Sequence, residues 1–135
     1  MRSVLSGTPP ILAMVPLLAG LELLEEAGIG AVRTKSELLT KYTVEVADAW
    51  LAPLGVRVAS PRDPARRGSP VTLCHPGAGA LNVRLIDAGV IPDFRAPDAL
   101  RLGLSPLSTS FAEVHRGLSV LRELLTGAAL LPGRR

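Results

Sequence analysis

The chain is poor in the residues that carry most enzyme chemistry. Its 135 residues include one cysteine, two histidines and two lysines. The single cysteine, Cys74, excludes a disulfide within the chain, and its neighbours favour a small strand or core residue over a reactive thiol. His75 and His115 lie far apart in sequence, and neither has a partner at ligand spacing. We therefore expect no metal site, and we expect the cytoplasm as the compartment.

Aromatic residues are equally scarce, at 3% of the chain. This scarcity argues against a surface that stacks the bases of single-stranded nucleic acid. The formal net charge is only +3, and the arginines are scattered apart from a group at positions 62, 66 and 67. We interpret that group as a solvated turn, with phosphate binding as the alternative. The sequence thus predicts no nucleic-acid partner.

Long uninterrupted apolar runs are also missing. The most apolar stretch, residues 11–24, follows Arg2 as a signal peptide would, but Pro16 interrupts it and Glu22 lies inside it. It is shorter than the roughly 20 residues that span a bilayer. We expect neither secretion nor a membrane partner.

What the chain does have is a hydrophobic fraction of 47%, enough for one domain over residues 1–135. The patterns predict an α/β fold in which helices cover a small mixed β-sheet of about four strands. The first helix, from Pro9 or Pro10 to Ala27, is apolar nearly all round, so we expect it to be kinked at Pro16 and deeply buried. The remaining segments are a helix at 30–51, strands at 56–60 and 71–75, a helix at 77–89, strands at 90–95 and 100–105, a helix at 108–126 and a loose tail at 127–135.

Motifs with recognisable chemistry are absent as well. No GxSxG occurs, so a nucleophile elbow is not indicated. The stretch "GAGAL", residues 77–81, has two glycines of a dinucleotide fingerprint without the third, and it is best interpreted as a helix entrance. Composition and motifs alone describe an α/β domain with no catalytic apparatus.

Three longer stretches carry a resemblance. They are "LSGTPPILAMVPLLAGLELLEEAGI" with "KSELLTKY", then "SPRDPARRGSPVTLCHP", and finally "GVIPDFRAPDALRLGLSPLSTSF". Together they resemble the C-terminal small domain of kynureninases, which are fold-type I enzymes that use pyridoxal phosphate. The resemblance covers about residues 3–126. It implies an α/β small domain with the element order ααββαββα.

The first stretch resembles a loop that contacts the cofactor in that family. The resemblance implies that Gly7 and Thr8 clamp the phosphate of pyridoxal phosphate, often the cofactor held mainly by the other subunit. A glycine permits close approach of the backbone, and a helix that begins at the following prolines directs its positive end to the anion. A plain helix N-cap at Thr8 with no ligand is the alternative. Ser6 is expected to border the substrate ring.

Arg101 is the second expected site residue. It lies in the apolar stretch "LRLGL", where a buried guanidinium needs a carboxylate partner. The resemblance implies that this partner is the α-carboxylate of an amino acid substrate, and an internal ion pair with Asp93 or Asp98 is the alternative. Asp93 and Arg95 match the D-x-R of the family, and we expect them to hold the loop ahead of the Arg101 strand.

The chain also departs from the family. The catalytic lysine that binds the cofactor and the acidic residue at the pyridine nitrogen belong to a large domain, and neither Lys35 nor Lys41 is placed to replace the lysine. Ser108 stands where a tyrosine is usual. We therefore expect no catalytic residues here.

The resemblance implies hydrolysis of L-kynurenine to anthranilate and L-alanine, performed only with a large domain. The expected partners are a second copy in a homodimer or a separate large-domain chain. The alternatives are a non-catalytic dimerisation or interaction module left from a truncated gene, and a class V aminotransferase or desulfurase relative with another substrate.

Overall fold

The computed structural model describes Gly7 and residues 10–127, and the order of its helices and strands is the predicted one. The elements are α1 (Ile11–Ala27), α2 (Ile29–Val46), β1 (Arg57–Val58), β2 (Val71–Cys74), α3 (Ala78–Asp87), β3 (Asp93–Arg95), β4 (Ala99–Leu102) and α4 (Phe111–Thr126). Short turns of π-helix, Ala47–Leu51, and 3-10 helix, Ala52–Leu54, extend α2. The predicted loose tail lies outside the described residues, apart from Gly127.

The four strands form one sheet with the order β1-β2-β4-β3, and all three pairings are antiparallel. The α/β class and the strand number are confirmed, whereas the expectation of a mixed sheet is wrong. α3 carries the chain from β2 to β3, which run parallel to each other. β4 then turns back and lies between them, so no two parallel strands are neighbours.

The inner face of the sheet and three helices share one apolar core. Leu73 and Leu100 are opposite each other on β2 and β4, and both are buried. They join a single cluster with Leu39 of α2, Leu85 of α3 and Leu118 of α4. Because side chains alternate along a strand, this packing leaves every second strand residue on the outer face of the sheet.

α4 begins with a complete capping box. The Ser110 hydroxyl accepts a hydrogen bond from the Glu113 amide at 3.2 Å, and Glu113 Oε2 accepts one from the Ser110 amide at 2.7 Å. These two bonds satisfy amides that a helix start otherwise leaves unpaired. They fix the point at which the chain leaves β4 and enters the helical layer.

Three of the four aromatic side chains gather in that helical layer. The Trp50 ring lies edge-on to the His115 ring at 5.0 Å between centroids, and the Arg122 guanidinium lies 5.4 Å from the Trp50 centroid. Tyr42 donates to or accepts from His115 Nδ1 at 2.6 Å and contacts Phe111 edge-on. This aromatic cluster joins α2, its π-helical turn and α4.

α1 differs from the prediction of a buried helix. It continues through Pro16 to Gly28, yet none of its residues is buried. Eight of its large apolar side chains are about half exposed or more: Ile11, Leu12, Met14, Val15, Leu17, Leu18, Leu21 and Leu23. Among the described elements, α1 packs mainly against α2. The prediction was wrong because the part of the chain that the structure describes packs only α2 substantially against α1 and leaves the rest of this apolar helix uncovered.

None of the helices in the described part of the chain has the length and apolar character needed to cross a membrane.

Candidate functional site

The outer face of the sheet carries a row of polar side chains. The register places Arg101 of β4 between Thr72 of β2 and Asp93 of β3. All three lie on the face opposite Leu100 and the core, since they alternate with inward residues. The next row along the sheet pairs Arg57 with Cys74 and Arg95 with Ala99. We call this surface the arginine face and define it by Arg57, Arg95, Arg101 and Asp93.

Asp93 is held by two arginines at once. Its Oδ2 atom accepts a hydrogen bond from Arg95 Nε at 3.0 Å, lies 2.8 Å from Arg95 Nη2 and also accepts from Arg101 Nη2. Partial desolvation of Asp93 acts to raise its pKa. The hydrogen bond from Arg95 and the charges of Arg95 and Arg101 outweigh that effect and lower the pKa below its usual value. The carboxylate therefore stays ionised between two cations.

Arg101 is not buried, contrary to the expectation from its apolar stretch. Its side chain is 43% exposed. The reason is the alternation of β4, in which Leu100 and Leu102 take the inward positions. Its carboxylate partner within the chain is Asp93, one of the two alternatives given by the sequence. Asp98 contributes only its main-chain carbonyl, to the amide of His75.

The Arg101 guanidinium has room around it. The strand neighbours Thr72 and Ala99 are small, and a side chain added at Gly103 would meet open space. With three arginines and one aspartate the face is positively charged, which suits a small anion such as a carboxylate. Binding of a substrate carboxylate by Arg101 remains a prediction.

The expected phosphate loop is described only at its edges. Gly7 is exposed, whereas Ser6 and Thr8 lie outside the described residues. α1 begins after Pro10, its N-cap residue, which supplies no side-chain hydrogen bond. The roles of Gly7, Thr8 and Ser6 therefore remain predictions.

The second arginine group, at positions 62, 66 and 67, matches the predicted solvated turn at Arg62 and Arg66, which are exposed, and differs from it at Arg67, which is buried. Arg62 forms an ion pair with Asp48, which lowers the pKa of that carboxyl through a hydrogen bond and charge. Arg67 is only 6% exposed and donates to the carbonyl oxygens of Pro61 and Arg62. Its own carbonyl accepts from Arg33 of α2 at 3.0 Å. The arginines of this group therefore have a structural role: their bonds attach the loop ahead of β2 to α2 and its π-helical turn.

Sequence reasoning missed Arg57 as a member of the arginine face. The signal was present in "VRV", where an arginine alternates with two valines in a strand. The position of Arg57 relative to Arg95 depends on sheet order, which local patterns do not give.

The side chains described here do not by themselves fit a covalently bound pyridoxal phosphate. That cofactor needs a lysine, and both lysines of the chain are on α2 in the helical layer. Lys41 Nζ lies 3.9 Å from Glu45 Oε1 on the same helix. We therefore derive no reaction step through the cofactor from this chain.

Comparison with solved structures defines the class of fold. The structure matches the apo cysteine desulfurase of Thermococcus onnurineus NA1 with a TM-score of 0.77 and 24% identity, covering 91% of this chain and 33% of that one. The chain thus shares its fold with about a third of that desulfurase chain.

Sequence comparisons identify the family to which the chain belongs. The family model of the kynureninase C-terminal domain matches residues 32–121. Kynureninases of Geobacillus thermodenitrificans and Pseudomonas fluorescens are 38% and 36% identical, over 88% and 90% of this chain. The kynureninase of Myxococcus xanthus is 44% identical over 85% of the chain. The chain belongs to the kynureninase C-terminal domain family.

The matched region spans only 27–29% of the length of these relatives.

Proposed function

We propose that the chain acts as the C-terminal domain of a kynureninase and binds the α-carboxylate of the substrate through Arg101. The substrate is L-kynurenine, which is hydrolysed to anthranilate and L-alanine. The observation that carries the proposal is an exposed arginine on the sheet face of a domain from this family. Its planar guanidinium can accept a carboxylate through two parallel hydrogen bonds.

The reaction also needs groups that a large domain provides. Pyridoxal phosphate, when bound there, supplies an electron sink for the bond cleavage. The described part of this chain contributes binding and orientation of the substrate, because it offers cations but no suitably placed lysine. Gly7 and Thr8 contact the cofactor phosphate in this proposal. The single cysteine supports a reducing compartment, the cytoplasm.

The occupant that we assign to the apolar surface of α1 is the large domain of a kynureninase. Two observations support this choice. The relatives are more than three times longer than the matched region, so they contain such a domain. The exposed leucines of α1 form a continuous apolar surface of the kind that marks a protein interface. A second copy of this chain is the competing occupant.

The experiment is complementation between two chains. The purified chain, mixed with pyridoxal phosphate and L-kynurenine, is expected to form no anthranilate. Addition of the Myxococcus xanthus kynureninase truncated before its C-terminal domain is expected to restore anthranilate formation. The fluorescence of anthranilate measures this activity. Arg101→Ala should reduce the restored kcat/KM by about 100-fold, since it removes a bidentate charged contact.

The matched control is Arg116→Ala, an exposed arginine on α4. It removes the same charge from the helical layer and should leave kcat/KM unchanged. Restoration by Arg101→Ala equal to that by the unaltered chain would contradict the carboxylate role. No restoration by the unaltered chain would contradict the partnership with a large domain.

A second candidate function is a non-catalytic dimerisation module. The exposed apolar side chains of α1 favour it independently of the arginine face. A stable dimer of the chain that fails to bind the truncated enzyme would support this candidate over the first.

A further inference from the structure

We propose that Asp93, anchored by Arg95, is a positioning residue that orients the Arg101 guanidinium for a substrate carboxylate. The proposal rests on the carboxylate role of Arg101 proposed above. It assigns a purpose to the D-x-R stretch, whose expected role was only to hold a loop.

The argument starts from the register of β3 and β4. Asp93 is directly opposite Arg101, and both project from the outer face. An exposed arginine has many rotamers, so ordering it costs side-chain entropy. A fixed anion on the neighbouring strand selects one orientation before any substrate arrives.

Asp93 itself is fixed by Arg95. The two residues are on the same face of β3; Arg95 Nε donates a hydrogen bond to Oδ2, and Arg95 Nη2 lies 2.8 Å from the same oxygen. Arg101 uses only Nη2 on this oxygen. The arrangement is asymmetric in its contacts: two nitrogens of Arg95 lie close to Oδ2, and one nitrogen of Arg101 does.

This asymmetry leaves Arg101 able to bind a second carboxylate. A guanidinium has five N–H groups, and the contact with Asp93 occupies one of them. Whichever Nη2 hydrogen is used, either the Nε–Nη2 edge or the Nη1–Nη2 edge keeps both of its hydrogens. One bidentate edge is thus preserved for a second carboxylate while the Asp93 contact restrains the guanidinium.

The first test measures orientation in the chain alone, without substrate or partner. Nitrogen–proton NMR spectra should show a sharp Nη2–Hη signal for Arg101, slowed in rotation by the contact with Asp93, and this signal should broaden in Asp93→Asn. Asp98→Asn is the matched control, because the Asp98 carboxylate makes no hydrogen bond within the described residues. Unchanged backbone amide signals of β2 and β4 exclude unfolding as the cause. A sharp Arg101 signal in folded Asp93→Asn would overturn the proposal.

The second test measures substrate binding in the complemented enzyme. Asp93→Asn should raise KM for L-kynurenine about tenfold with kcat within about twofold, because carboxylate binding is common to ground and transition states. Arg95→Lys keeps the charge but loses the planar guanidinium that contacts Asp93. Its KM should therefore lie between that of the unaltered chain and that of Asp93→Asn.

The outcomes separate the two proposals. If Arg101→Ala impairs the enzyme and Asp93→Asn does not raise KM, positioning is wrong and the carboxylate role stands. If the unaltered chain restores no activity, the proposed function fails, and the NMR test still decides whether Asp93 orients Arg101.

Discussion

At the scale of single residues, carboxylates that are paired in the folded chain determine its response to acid. Two hydrogen bonds from Ser110, through its amide and its hydroxyl, lower the pKa of Glu113 below the ordinary 4.5. A group whose pKa is lower in the folded state adds stability above its unfolded pKa. That contribution is lost as the pH falls through the folded pKa.

We therefore expect Glu113→Gln to weaken the acid dependence of unfolding. The urea midpoint of the unaltered chain should fall as the pH is lowered from about 6 to 3, and the variant should lose less over the same range. Urea titrations followed by circular dichroism at several pH values measure this. Asp48 and Asp93 also have lowered pKa values, so the variant keeps part of the dependence. Identical pH profiles would show that the capping box adds no pH-linked stability.

Residue identity alone predicted part of the candidate site. The D-x-R stretch and Arg101 could be selected from the sequence because they match a family pattern. The exposure of Arg101 could not, since it depends on which strand residues face the core. Arg67 shows the reverse case: a charge in a Pro- and Gly-rich loop that the fold buries against carbonyl oxygens.

At the scale of elements, the joint between α1 and α2 depends on one glycine. Gly28 ends α1 with a φ of 74° and a ψ of 130°, a backbone conformation that other residues rarely adopt. Gly30, two residues later, is in the first turn of α2, and an added Cβ there meets open space. The two glycines therefore differ in backbone conformation and not in available room.

Alanine substitutions should have opposite effects at these two positions. Gly28→Ala should lower the free energy of unfolding by about 1 kcal/mol or more because of backbone strain. Gly30→Ala should raise it by about 0.5–1 kcal/mol because alanine favours the helix. Urea unfolding of both variants measures the difference. Destabilisation by both substitutions to the same degree would contradict the assigned role of Gly28.

Element positions followed from local patterns, whereas element pairing did not. The helices and strands were placed within a few residues, since apolar spacing and glycine stops act locally. The end of α2 differs because a π-helical turn continues it from Ala47. The insertion of β4 between β2 and β3 joins residues distant in sequence, so a mixed sheet was expected in place of an antiparallel one.

At the scale of the whole molecule, α1 is the element that we expect to govern association, because its apolar side chains are exposed. The exposed side chains of Leu17 and Leu21 are four residues apart, so they lie on one side of the helix. Exposed apolar surface of this extent favours association with another protein surface.

We expect the isolated chain to associate as its concentration rises, and Leu17→Glu with Leu21→Glu to shift it towards the monomer. The double variant should also lose binding to the truncated kynureninase, because charge is costly in an apolar interface. Sedimentation velocity measures the first effect and complementation the second. Val83→Glu on α3, a similarly exposed residue, is the control. Binding by the double variant equal to that of the control would exclude α1 from the interface.

The aromatic cluster has an optical consequence. Trp50 is the sole indole of the chain; it belongs to the π-helical turn and lies against His115 and Arg122 of α4. The wavelength of its fluorescence maximum consequently reports the hydration of the contact between the π-helical turn and α4. A small anion bound on the opposite side of the sheet leaves this wavelength unchanged, whereas detachment of α4 shifts it to longer values.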